Sequence, residues 1–129
     1  MTTFARWAKF NLVGAMGMAV QLAALALFGR CAPRHYLCAS AAAIEITLLH
    51  NFVWHRRYTW RDRCDATPPF RQFLRFQLSN GLVSIAGNLV LTGLLVGRAR
   101  LPILLANAIA ICCCSAANFY LVDNWVICG

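Results

Sequence analysis

The sequence predicts an all-α polytopic membrane protein, with four transmembrane helices built as two parallel two-helix repeats in a single domain over 1–129. Three observations carry this prediction. Apolar residues make up 60% of the 129-residue chain and charged residues only 12%, against roughly 45–50% and about 25% in soluble globular proteins. The mean hydropathy is +0.61, and a soluble fold of this size leaves too much of its surface in water to hide so many apolar groups. The charges are gathered between apolar runs instead of being spread along them, and the second half of the chain restates the first.

Met1–Lys9 reads as a short amphipathic lead with Arg6 and Lys9, without the small-residue cleavage site of a signal peptide, so the first apolar run is expected to be retained. That run, Phe10–Gly29, is long enough at about 1.5 Å of rise per residue to cross a hydrocarbon core of about 30 Å. Arg30–His35, with Pro33, forms the first turn, and Tyr36–Trp54 the second span. The connection over about 55–75 is polar and basic, and Pro68 and Pro69 are expected to bar regular structure at its middle. Phe76–Gly97 is the third span, Arg98–Arg100 a tight turn, and Leu101–Val122 the fourth span.

Arg6, Lys9, Arg56, Arg57, Arg61, Arg63, Arg71 and Arg75 lie on one side of these spans, against Arg30, Arg34, Arg98 and Arg100 on the other. The positive-inside bias therefore predicts that both termini and the long connection are cytoplasmic, in a multi-pass protein of the inner (cytoplasmic) membrane.

The repeat runs from about 4–60 to about 70–127. FARWAKFNLVG from Phe4 aligns with FRQFLRFQLSN from Phe70, pairing Lys9 with Arg75, Phe10 with Phe76 and Asn11 with Gln77. HYLCASAAAI aligns with PILLANAIAI, and Asn51, Phe52 and Tyr58 align with Asn118, Phe119 and Trp125. Each half holds two spans, an even number, so both halves enter the membrane in the same sense, as parallel transporter repeats do.

Polar residues cluster on one arc of each span. Asn11 and Gln21 share an arc of the first, His50 and Asn51 of the second, Gln77, Asn80 and Asn88 of the third, and Asn107 and Asn118 of the fourth. Polar groups facing lipid go unsatisfied, so these arcs are expected to turn inward. Two readings stand side by side: interhelical hydrogen bonding, or a lining for a polar substrate. Asn11, Gln77, Asn51 and Asn118 lie toward the cytoplasmic face, with Lys9, Arg75, Arg56 and Arg57 just outside them. Cations beside amides suit a phosphate carrying a sugar, and they equally suit lipid headgroups. Glu45 is a formal charge near mid-span, where a carboxylate costs about 2.5–3.5 kcal/mol or more, which makes it a functional candidate.

Other classes are disfavoured. The net charge of +8 is segregated between spans, unlike the basic face of a nucleic-acid reader, so no nucleic-acid partner is expected. Of the seven cysteines, Cys112, Cys113 and Cys114 are consecutive on an apolar helix, while Cys31, Cys64 and Cys128 lie near span ends and no CxxC occurs. They read as small hydrophobes, and His50 has no second ligand at metal spacing, so no metal and no cofactor are expected. No nucleophile has the surroundings of a catalytic site, and the expectation is a protein that is not an enzyme.

The opening WAKFNLVG, the NF pair followed by a basic, aromatic stretch (NFVWHRRYTW), and the return of NF at Asn118 and Phe119 resemble the GtrA-like family of small bacterial membrane proteins. The resemblance covers about Trp7 to Ile127. It implies a role in cell-surface polysaccharide synthesis: translocating a polyprenyl-phosphate-linked sugar, such as undecaprenyl-phosphate glucose, beside a membrane glycosyltransferase. Where members of that family often carry an acidic residue midway along the first span, this chain has Gln21. Four spans are few for an enclosed path, so a homo-oligomer among membrane lipids is expected. The alternative is a non-transporting scaffold that anchors a glycosyltransferase.

Overall fold

The computed structural model describes residues 2–63 and 67–127, which leaves Cys64 and Cys128 outside the described residues. Helices account for the fold, with no strand among the described residues. Among the described residues, four stretches are long and apolar enough to cross a membrane: Thr3–Cys31, Leu37–Thr59, Pro69–Gly97 and Leu104–Val126. The chain divides into two compact units, Met1–Cys64 and Asp65–Gly129.

In the first unit, α1 (Thr3–Cys31) begins where Thr2 caps it, its hydroxyl accepting from the Ala5 amide at 3.2 Å. The lead Thr3–Lys9 is thus the first part of the spanning helix, not a separate segment. Phe10, Val13 and Gly17, three and four residues apart, form its buried stripe. After the turn at Pro33, α2 (Tyr36–Trp54) returns alongside α1. It presents Ala39, Ala43 and Thr47 inward at intervals of four, and these small side chains let the two backbones approach closely. The Thr47 hydroxyl is satisfied within its own helix by the Ala43 carbonyl at 2.8 Å.

The helix does not stop at Trp54. A π-helical turn, His55–Thr59, continues it, closed by the Trp60 amide donating to the His55 carbonyl at 2.9 Å. That widened turn folds Trp60 back onto the start of α1. Phe10 stacks on His55 at 4.7 Å and 14°, and Trp60 meets Phe10 edge-on at 6.0 Å and His55 at 5.4 Å. The His55 Nδ1 lies 3.2 Å from the Thr59 hydroxyl.

The second unit opens with α3 (Pro69–Leu82), where Pro68 is the cap residue and Pro69 the first helical residue. The proline pair was expected to bar regular structure. It starts a helix instead, because proline's fixed φ suits the first helical position and its missing N–H would be unbonded there anyway. The connection expected over 55–75 narrows accordingly to 60–68. A π-helical turn at Val83–Gly87 joins α3 to α4 (Asn88–Gly97). After a turn in which Arg100 takes φ 53, α5 (Ile103–Leu121) returns and ends in a third π-helical turn, Val122–Val126.

The buried positions of the two units correspond. Phe10 answers to Phe76, Ala39 to Ala106, Ala43 to Ala110 and Phe52 to Phe119; His55, Thr59 and Trp60 answer to Val122, Val126 and Ile127. In both units an Asn-Phe pair stands two residues before the widened turn.

Candidate functional site

Lys9, two turns into α1, and Arg75, midway along α3, are each held over an aromatic ring. Lys9 Nζ lies 4.4 Å from the centroid of Tyr58, a ring supplied by the π-helical turn after α2. Arg75 lies 5.7 Å from the centroid of Trp125 in the π-helical turn after α5, and its Nη1 donates to the Trp125 carbonyl at 3.2 Å. Both cations are half-buried. Neither pairs with a carboxylate among the described residues, and a ring face attracts a cation without neutralising it. Arg56 is half-buried and Arg57 exposed, both in the turn that supplies Tyr58.

The amides fall into two tiers instead of one layer. Asn11 donates to the Trp7 carbonyl of its own helix at 2.9 Å. Asn51 packs against Gly17, where any Cβ would overlap its side-chain amide. Gly17 is six residues further along α1 than Asn11, roughly 9 Å of rise. Asn51 also meets the neighbouring His50 ring nitrogen at 3.2 Å, and the His50 ring lies 6.3 Å from that of Trp54.

The second unit repeats the tiers. Gln77 is on α3, and Asn118 meets the chain seven residues further along, its Nδ2 donating to the Ser84 hydroxyl at 3.2 Å. Asn118 Oδ1 is buried and finds no hydrogen-bond partner among the described residues. Asn80 is half-buried between these tiers. Asn88 joins Ser84, Thr92 and Asn107 around a cavity of about 590 Å³.

Two candidates from the sequence join neither arrangement. Gln21 is half-buried on α1, about three turns beyond Lys9. Glu45 is exposed on the face of α2 that also exposes Cys38 and Leu49, away from buried Thr47.

The sequence reading missed four features. It aligned Tyr58 with Trp125 without seeing that each seats a cation. It passed over His55 and Thr59, which are 3% and 0% exposed and carry no apolar signal of burial. It passed over Gln72, fully buried with neither amide atom hydrogen-bonded among the described residues. Thr92, four residues after Asn88 and so on the same helical face, was within reach of the periodicity.

Comparison with known proteins gives the chain a family context. The transmembrane-domain model described as GtrA/DPMS matches residues 9–127. No curated protein matches the chain.

Proposed function

The chain belongs to the GtrA/DPMS transmembrane-domain family, membrane proteins of polysaccharide and glycolipid synthesis, and from that premise we propose that it translocates a polyprenyl-phosphate-linked sugar across the cytoplasmic membrane. A hexose on undecaprenyl phosphate is the type of substrate meant. The observation that carries the reading is the repeated seat of a cation on an aromatic ring, Lys9 on Tyr58 and Arg75 on Trp125. A substrate phosphate needs positive charge at the end of an apolar span, held in place and not spent on a carboxylate. Each ring fixes its cation while leaving the charge available to a phosphate oxygen.

In this reading a phosphate is taken at the cytoplasmic end of either unit, by Lys9 with Arg56 and Arg57 in the first and by Arg75 in the second. The prenyl tail stays in lipid, and amides such as Asn51 and Asn118 offer hydrogen bonds to sugar hydroxyls. Both termini and the 60–68 connection are cytoplasmic. The working form is a homo-oligomer, because four spans are few to enclose a path. The product is handed to a membrane glycosyltransferase on the far side.

Uptake of a short-chain, phosphate-linked prenyl hexose into proteoliposomes containing the purified protein tests this. Protein-dependent uptake is expected. Background uptake from a correctly inserted protein would leave the scaffold role, anchoring a glycosyltransferase, in its place.

A further inference from the structure

The end of each unit that carries the ring seat is built on the same skeleton and filled with different charge. Each first helix brings two cations to it, Arg6 and Lys9 on α1 against Arg71 and Arg75 on α3. The π-helical turns that supply the rings do not match. Just before Tyr58 the first unit carries Arg56 and Arg57, and at the aligned positions before Trp125 the second carries Asp123 and Asn124. Four cations in the first unit thus face two cations and a carboxylate in the second, a formal charge of +4 against +1.

The difference is felt at the seats themselves. Arg57 is exposed and adjoins Tyr58 in the chain, and Lys9 Nζ lies 4.4 Å from the centroid of that ring. Charges within one helical turn fall inside the roughly 8–10 Å over which salt leaves them coupled. An anion at the first seat therefore meets the fields of at least two cations, Lys9 and Arg57. At the second seat Arg75 already gives one donor to the Trp125 carbonyl, and the turn that holds the ring adds a carboxylate where the first unit adds a cation.

Membrane phosphates come in two classes that differ by this kind of step. A phosphodiester, such as a prenyl-phosphate-linked sugar, carries one negative charge. A terminal phosphomonoester loses a second proton near pH 6 and carries about −1.5 to −2 at pH 7. We propose that the seat of the first unit is a binding site for the terminal phosphomonoester of a membrane lipid, which it prefers to a phosphodiester, and that the seat of the second unit does not discriminate. That the occupant is the prenyl phosphate carrier without its sugar rests on the translocation reading; the charge preference does not.

The test uses two photoreactive probes with the same short prenyl tail, a phosphate monoester and its methyl diester, which differ by one charge. They are applied at neutral pH to the full-length protein in phosphatidylcholine vesicles, with cross-links mapped by mass spectrometry. Around Lys9 and 55–60 the monoester should label about tenfold more than the diester, while around Arg75 and 122–126 the two should agree within about twofold. Arg57→Asn, which installs the residue of the second unit, should cut the preference of the first about fivefold or more. Arg57→Lys should keep most of it, and Asn124→Arg should raise monoester labelling of the second unit. Equal labelling of the first unit by both probes, or an unchanged preference in correctly inserted Arg57→Asn protein, would overturn the site.

Unlabelled prenyl phosphate should displace the monoester probe. Displacement by inorganic phosphate alone would overturn a lipid site, and phosphatidic acid competing as well as prenyl phosphate would overturn the carrier as occupant. If the preference is absent while prenyl-phosphate hexose uptake is intact, the charge grading fails and translocation stands. If the preference persists without uptake, translocation fails and the phosphomonoester site stands.

Discussion

The two units share one skeleton and fill it with different chemistry. Each packs a helix pair through small residues, ends in a π-helical turn after an Asn-Phe pair, and seats a cation on a ring from that turn. Inside that shared end, the first unit uses Phe10, His55, Thr59 and Trp60, and the second uses Phe76, Val122, Val126 and Ile127. Further along the first helix of each pair the polarity reverses. There the first unit carries Met18 and Leu22, each 63% exposed, where the second carries Ser84 and Asn88. Burial is therefore set by the geometry of the pair and its widened turn, which both fillings satisfy. Polar chemistry is free to diverge between the halves.

Gly17 and its counterpart Val83 sharpen the comparison most. In the first unit Asn51 lies against Gly17, and a Cβ there would overlap its amide; in the second, Asn118 bonds to Ser84 and a side chain is present at Val83. Gly17→Val should lower the thermal stability of the detergent-solubilised protein by about 1–3 kcal/mol or more, the usual cost of overpacking. Gly14→Val changes the same helix in the same way, but a Cβ at Gly14 meets nothing within 4 Å, so it should cost well under half as much. Equal losses would mean that helix propensity, and not the approach of Asn51, governs this pair.

A smaller effect follows from exchanging the fillings. His55→Val leaves the buried Thr59 hydroxyl without the ring nitrogen 3.2 Å away, at a cost of about 1–3 kcal/mol. Adding Thr59→Val reproduces the Val122 and Val126 combination of the other unit and should recover at least half of that loss. A double-mutant cycle by thermal unfolding measures the coupling. Simple addition of the two losses would show that the units are not interchangeable at this end.

The sequence made the four spans legible because lipid as solvent demands long apolar runs, and the bounds of α2 at Tyr36 and Trp54 follow from that alone. The early helix starts at Thr3 and Pro69 were hidden, since a basic lead and a proline pair look the same in a loop and in the first turn of a helix. The π-helical turns left no signature of their own beyond the repeated Asn-Phe. Lys9 and Arg75 were recognisable as an aligned pair, and so were Tyr58 and Trp125. That each cation sits on the ring of its own unit is a tertiary fact, decided by how the second helix of each pair ends. Glu45 drew notice through its charge, and the fold sets it on an exposed face apart from the amides.

The central claim is that the ring-seated cations handle a phosphate, and the most direct measurement is uptake of the short-chain prenyl-phosphate hexose by Lys9→Ala and Arg75→Ala proteins. Each variant is first shown to insert with Thr67 accessible from the cytoplasmic side. Loss of one charge-assisted hydrogen bond, about 1.5–3 kcal/mol, should reduce uptake by roughly tenfold or more in either variant. Arg75→Lys, which keeps the charge but loses the fork that fits phosphate, should retain an intermediate rate. Wild-type uptake in correctly inserted Lys9→Ala and Arg75→Ala proteins would contradict the account and reduce both cations to anchors of topology.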